Sequence, residues 1–389
     1  MTTRGETLRL ATRGSDLALR QAATVRDSLS SRRLSVELVE VETTGDQIRD
    51  ELIHRLGKTG AFVRSLDEKV LEGELDAAVH SMKDMPTERP ERLVVAAVPE
   101  RAAAEDVLVT PDGRSLDELP EGATVGTSSL RRKAQLLAER DDLTVEPLRG
   151  NVDTRIAKLL APSLQQEHQE RHEAEQEHKG DAGDGDDADP DADEEEEHPY
   201  DRTVEEWFDD LTEFERRAME RDPDVEYDAI VLAKAGLHRA GLTRYVGMSD
   251  LDPDRFVPAP GQGALAVTAV DGDLALDIKD RLDDPQTRVE TTVERTILEE
   301  LGGGCVAPIG VHAHLEGGVV HTRVRVLSQD GTEEVSVGRD IPAEYHIDAA
   351  QDLAAELAEQ GADDLIAEAK RDSTGADDDA ATAREEDEE

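Results

Sequence analysis

Apolar residues along this chain come in short runs separated by segments of helical spacing. The run LRLAT at 8–12 is followed by a helical pattern over 15–29 and by the strand-like SVELVEVET at 35–43. A helix over 61–71 and the strands DAAVH at 76–80 and LVVAAV at 93–98 complete a first set. A second set holds DVLVT at 106–110, ATVGT at 123–127, a helix over 129–138, LTVEPL at 143–148 and, much later, YDAIVLA at 227–233. Short apolar strands alternating with helices predict α/β architecture, with two doubly wound lobes whose sheets are covered on both faces. Two such lobes side by side place a ligand cleft between them, at the carboxyl ends of the strands.

Beyond residue 300 the rhythm changes. VAPIGVHAHL, VVHTRVRVLS and EEVSVGRDI are separated by the turn signals Glu-Gly-Gly and Gln-Asp-Gly, and a helix is expected over 347–369. Three successive strands and one packing helix describe a small C-terminal α+β domain with a three-stranded antiparallel sheet. Two segments do not fit a core. Residues 163–200 carry almost no Leu, Ile, Val or Phe and include a block of Asp and Glu, so disorder is expected there, and the acidic tail 372–389 reads the same way. Between 203 and 221, Trp207, Phe208, Leu211 and Phe214 share one face of an amphipathic helix, which should dock as a satellite on its own domain.

Charge narrows the function classes. The 389 residues carry 92 acidic and 44 basic side chains, a net charge of -48, and only nine of the basic residues are Lys. Such a surface repels nucleic acid and anionic lipid, so neither is an expected partner. A dense carboxylate coat poor in lysine suits concentrated salt, where screening removes most self-repulsion, and points to a halophilic source. There is no run of 18 apolar residues to span a membrane, and MTTRGETLRLATRGS lacks the apolar stretch of a signal peptide. A single cysteine cannot form an internal disulfide, which fits a cytoplasmic location.

Against that acidic background, arginines gather at strand-to-helix junctions. GTSSLRR (126–132) places Ser128 or Ser129 as helix N-cap and Arg131 and Arg132 in the first turn, where the helix dipole disfavours cations. The pair makes sense if an anion meets the free N–H groups and both guanidinium forks. LRGNVDTR (148–155) repeats the arrangement with Arg149 and Arg155, and ATRGS (11–15) does so with Arg13 and Ser15. The implied guest carries several carboxylates or phosphates. HSMKDMP (80–86) ends a strand at the same rim. Lys83 adds positive charge, and Asp84 either stabilises a nearby cation or forms a structural ion pair. His80 reads as a core residue rather than a base. Cys305 follows three glycines, and surrounding arginines would favour its thiolate. No metal-ligand spacing, P-loop or dinucleotide fingerprint is present.

Taken in order, ATRGS, HSMKD, GTSSLRR, LRGNVDTR, YDAIVLA, PAPGQGA and GGGCVAPIG resemble the porphobilinogen deaminase (hydroxymethylbilane synthase) family from Leu8 to about Lys370, with 161–223 left out. The resemblance implies a dipyrromethane cofactor held through a thioether by Cys305. On it four porphobilinogen units condense head to tail with loss of ammonia, through azafulvene cations, before hydrolysis releases hydroxymethylbilane. Asp84 matches the catalytic carboxylate. Lys83, Thr127, Ser129, Arg131 and Arg132 match groups that bind the acetate and propionate arms of the cofactor, and Arg13, Ser15, Arg149, Arg155 and Arg239 match those around the incoming substrate.

The same resemblance implies periplasmic-binding-protein-like lobes, with crossovers near Pro99–Arg101 and Pro258–Gly263. This gives domain 1 as 1–100 with 261–282, domain 2 as 101–260 including an acidic insertion at 161–223, and domain 3 as 283–371. A monomer that passes its product to the next enzyme of the pathway is the expected setting. Three positions depart from the family pattern: Thr59 replaces a usual lysine beside Lys58, Asp153 replaces a small residue, and the insertion is foreign. A bilobal carboxylate-binding protein without catalysis is the rival reading; it would need the arginines but neither Asp84 nor Cys305.

Overall fold

The computed structural model describes residues 6–32, 34–41, 61–181, 200–222, 224–304 and 307–372. Lys58, Thr59, Cys305, the acidic run 182–199 and the tail 373–389 lie outside the described residues. The first lobe contains β1 (Glu6–Arg13), α1 (Asp16–Leu29), β2 (Leu34–Val41), α2 (Ala61–Leu71), β3 (Ala77–Ser81) and β4 (Leu93–Ala97). Its sheet runs β2-β1-β3-β10-β4, where β10 (Leu265–Val270) returns from the far side of the second lobe. β1 is parallel to β2 and β3, whereas β10 is antiparallel to both its neighbours. The sheet is thus mixed, because the returning strand enters from the opposite end.

The second lobe follows the same plan. It holds β5 (Asp106–Thr110), β6 (Thr124–Gly126), α3 (Leu130–Glu139), β7 (Thr144–Glu146), α4 (Val152–Asp181), α5 (Val204–Asp210), α6 (Glu213–Met219), β8 (Ala229–Ala233), α7 (Lys234–Ala240) and β9 (Gly247–Asp250), with sheet order β7-β6-β8-β5-β9. β5 is buried along its whole length, and separate apolar clusters built on Val107 with Ile230 and on Leu108 with Val231 cover the two faces. Fully burying each such side chain is worth roughly 1.5–3 kcal/mol.

After α8 (Asp273–Leu282) and α9 (Pro285–Glu300) come β11 (Ile309–Glu316), β12 (Val319–Leu327), β13 (Glu334–Pro342) and α10 (His346–Glu359). The three strands form one antiparallel sheet, as expected. The helix expected over 347–369 is two, because α10 ends before a turn at Gly361 and 362–372 form another. This third unit seats on both crossovers and on the second lobe. Val311 N–H donates to Pro258 O at 2.9 Å. Gly331, at φ +76°, brings its turn so close to α3 that a Cβ there would lie 2.5 Å from Ala134 O. At the crossovers Gly263, at φ +86°, packs against the other strand, where a Cβ would lie 2.4 Å from Ala102 O.

Two expectations for the segment after LRGNVDTR need correction. Disorder does not begin at residue 163, since α4 continues through Pro162 to Asp181. Its polar stretch is held by side-chain pairs one turn apart, Gln166 to Glu170 and Arg171 to Glu167, each at 2.8 Å. It is also covered by the aromatic segment: Trp207 is buried, its ring 6.0 Å from His168 and beneath the Arg171 guanidinium at 5.4 Å. The single helix expected over 203–221 is split in two. Thr203 with Glu206 and Thr212 with Glu215 each form a capping box, so Thr212 starts a second helix where the first ends. α6 then docks through Phe214 and Ala218 on the core that includes Leu160.

Candidate active site

Charge at the centre of the molecule is organised by one carboxylate. Asp106 opens β5 and is completely buried. Arg131 Nη2 donates to its Oδ2 at 2.6 Å, while Arg132 Nε and Nη2 donate to its Oδ1 at 3.2 and 2.7 Å. Gln262, on the return crossover, donates from Nε2 to the same Oδ1 at 2.8 Å and to Ala104 O at 2.6 Å. Arg131 Nη1 also donates to Val257 O at 2.7 Å and Arg132 Nη1 to Val231 O at 3.0 Å. Despite its burial, Asp106 is held far below the usual carboxylate range by the two guanidinium groups.

Local sequence puts those arginines there. Ser129 rather than Ser128 is the N-cap of α3, accepting from Arg132 N at 3.4 Å, while Ser128 Oγ donates to Leu148 O at 2.6 Å. Thr127, buried, accepts Ser129 N–H at 3.2 Å. The guanidinium forks are therefore not bare, as an anion-only reading expects; each has internal partners. Two buried arginines nevertheless share one carboxylate, which leaves positive charge in excess, and Arg131 Nε is buried with no hydrogen-bond partner among the described residues.

The opposite wall is the turn after β3. Met82 is buried, Lys83 half-buried and Asp84 exposed. Met82 N–H donates to Ala264 O at 3.1 Å. Although partly accessible, Lys83 is shielded enough for desolvation to lower its pKa; Arg132 and Arg131 push the same way, and Asp84 and Asp106 oppose them. Arg155 responds similarly. Burial and then Arg132 bring it to about 10 against the pull of Asp84, and its Nε donates to Gly150 O at 2.7 Å. Lys83 and Asp84 of the first lobe thus share one electrostatic neighbourhood with Arg131, Arg132 and Arg155 of the second.

The other expected residues sit on separate supports. Arg13 ends β1, and Ser15 caps α1, accepting Ala18 N–H at 3.3 Å. Arg149 is half-buried in the turn between β7 and α4. Arg239 donates to Gly263 O of the crossover at 2.9 Å, and burial lowers its pKa. Asp153 is exposed in the first turn of α4, where a negative charge suits the helix dipole. His80 is a buried core residue, its Nε2 lying 2.8 Å from Asp67 Oδ1 and 3.1 Å from Thr268 Oγ1. Asp106 and Gln262 were not singled out from sequence. The available signal was an acid directly before the apolar run Val107–Val109, which burial would force to find a cation.

No group of three or more His, Cys, Asp or Glu suited to a metal occurs among the described residues, and none of their helices is long and apolar enough to cross a membrane. Residues 8–166 and 214–277 match the family model for the porphobilinogen deaminase dipyrromethane cofactor-binding domain, and 289–360 match that for its C-terminal domain. A probable porphobilinogen deaminase of Halobacterium salinarum is 53% identical over 93% of this chain and 98% of its own length. The porphobilinogen deaminase of Sulfurimonas denitrificans is 34% identical over 93% and 96%. Among solved structures, the ectoine-binding protein of the TeaABC TRAP transporter matches over 96% of this chain and 99% of its own, at 11% identity and a TM-score of 0.33. Matches over both halves of the chain, at such identity and coverage, show that it belongs to the porphobilinogen deaminase family, the hydroxymethylbilane synthases of tetrapyrrole biosynthesis with a dipyrromethane cofactor.

Proposed function

We propose that the chain condenses four porphobilinogen molecules head to tail, losing one ammonia each time, on a dipyrromethane attached to Cys305, and releases hydroxymethylbilane by hydrolysis. The observation that carries this reading is the buried Arg131–Asp106–Arg132 cluster with its excess positive charge, facing Lys83 and Asp84. The unpartnered Nε of Arg131 is a donor suited to a carboxylate, so these residues fit the cofactor. When bound, the dipyrromethane supplies a covalent anchor and a nucleophilic pyrrole carbon.

The residues then divide the work. Lys83, Thr127, Ser129, Arg131 and Arg132 hold the acid arms of the cofactor. Arg13, Ser15, Arg149, Arg155 and Arg239 receive the acetate and propionate of each incoming porphobilinogen. Asp84 stabilises the positive charge that develops on the substrate as ammonia leaves. The three sheets support the division into domain 1 (1–100 with 261–282), domain 2 (101–260) and domain 3 (283–371), and hinge motion at the crossovers between the lobes would make room as the product grows. We further propose a cytoplasmic monomer that hands its product to the next enzyme. The carboxylate coat and the Halobacterium relative support adaptation to concentrated salt.

Intact mass tests the assignment. Purified protein should carry an adduct equal to two deaminated porphobilinogens, and Cys305→Ser should lose both adduct and turnover, since a hydroxyl is far harder to ionise than a thiol. An adduct that survives in the Ser variant would move the attachment elsewhere. A protein that binds porphobilinogen without adduct or turnover would be the non-catalytic rival.

A further inference from the structure

The Asp84-bearing turn is short and open to solvent at the residue that matters, so packing of that side chain does not fix its place. Its backbone is fixed from two sides. On one, the return crossover accepts Met82 N–H at Ala264 O, 3.1 Å, and Gly261 packs against the Met82 side chain. On the other, a single side chain from the third unit collects the carbonyls with which the turn ends. Arg295, on α9, donates from Nη1 to Met82 O and Met85 O, both at 3.2 Å, and from Nη2 to Pro86 O at 2.7 Å. Met82 O also accepts Met85 N–H within the turn at 3.1 Å, and a planar cationic fork binds it together with Met85 O and Pro86 O through charge-assisted bonds.

We propose that Arg295 is a positioning residue for the reaction: by clamping the 82–86 turn it sets where the Asp84 carboxylate stands in the cleft. The inference rests on the reading of Asp84 as the catalytic carboxylate. It also gives the third unit a part in catalysis separate from carrying Cys305, since α9 then holds the first-lobe wall in register. A built-in comparison lies two turns earlier on the same helix. Arg288 Nη2 donates to Val95 O and Ala96 O of β4, both at 3.2 Å, so it ties α9 to the same lobe through the same kind of bond without touching the turn.

The experiment measures kcat, KM, intact mass and amide exchange at 82–85 for Arg295→Met, Arg295→Lys, Arg288→Met, Asp84→Asn and the Asp84→Asn/Arg295→Met double variant. Misplacing a reacting group by about 1 Å can cost up to roughly a hundredfold in rate. Arg295→Met should therefore lose about ten- to a hundredfold in kcat at nearly unchanged KM, keep its adduct and exchange faster at 82–85. Arg295→Lys should recover part of the rate, and it carries the comparison if the Met variant fails to fold. Arg288→Met should melt earlier with kcat unchanged. The double variant should be no slower than Asp84→Asn alone. The inference fails by itself if Asp84→Asn is slow while Arg295→Met turns over normally, if Arg288→Met loses as much kcat, or if the double variant is slower by the full product of the two. Normal turnover in Asp84→Asn would instead overturn the reading of Asp84 and the inference with it.

Discussion

Asp106→Asn tests how charge is held at the centre of the site. The amide keeps the shape of the carboxylate, but it removes the one negative charge bonded to both Arg131 and Arg132 and points an NH2 group or a weaker acceptor at them. All three side chains are buried, so water cannot take over. Breaking a buried ion pair from one side costs about 3–5 kcal/mol, because a charge is left without compensation. At roughly 1.4 kcal/mol per factor of ten, that is about two to three and a half decades in the folding equilibrium, a large share of the roughly 5–15 kcal/mol typical of a folded protein. Urea titrations in molar KCl, followed by circular dichroism, would measure the loss.

The pH dependence has a definite sign. Asp106 has a folded pKa lowered from its ordinary 3.8, so its contribution is fully present above that value and is lost as pH falls toward and through the depressed folded one. The difference between wild type and Asn variant should be flat from neutrality to about pH 5 and shrink at lower pH. A loss under about 1 kcal/mol at neutral pH, or a difference that grows on acidification, would show that Asp106 is not the counter-ion that sets the two arginines.

Native circular dichroism and turnover should both require high salt, because 92 acidic residues against 44 basic ones repel in dilute buffer, and the Debye length shortens from roughly 10 Å at 0.1 M to 3 Å at 1 M; full activity at 50 mM KCl, about an order of magnitude below molar screening, would remove the halophilic reading and leave the family assignment untouched. Trp207→Ala should lower the melting temperature, by less than the roughly 3–5 kcal/mol of a fully enclosed aromatic truncation, while leaving kcat within about twofold, since Trp207 packs on His168 and Arg171 of α4; calorimetry beside steady-state rates would check it, and a collapse in rate with normal melting would place α5 at the cleft.

What this sequence determined alone was what short-range physics decides. The helix at 61–71 and the strand at 106–110 begin and end where the pattern of apolar residues says, and Ser15 caps α1 through a residue three positions away. The break at Thr212 was equally local, since TEFE is a capping box, and a count of apolar faces alone passes over it. The seven ordered motifs carried the family, and Lys83, Asp84, Arg131, Arg132 and Arg155 were legible as a charged set. Tertiary structure decided the rest. β10 fills the slot between β3 and β4 although it lies almost two hundred residues from β3, because strand pairing depends on where the chain returns. The polar stretch of α4 looked too poor in apolar residues to order, yet it is helical to Asp181, with part of its cover coming from Trp207, far along the chain. Asp106 read as the head of a strand; it became the counter-ion of two arginines only when burial removed water and the fold brought Arg131, Arg132 and Gln262 to its carboxylate. Local propensity acts over a few residues, but the cost of burying a charge is set by whatever the whole fold brings beside it.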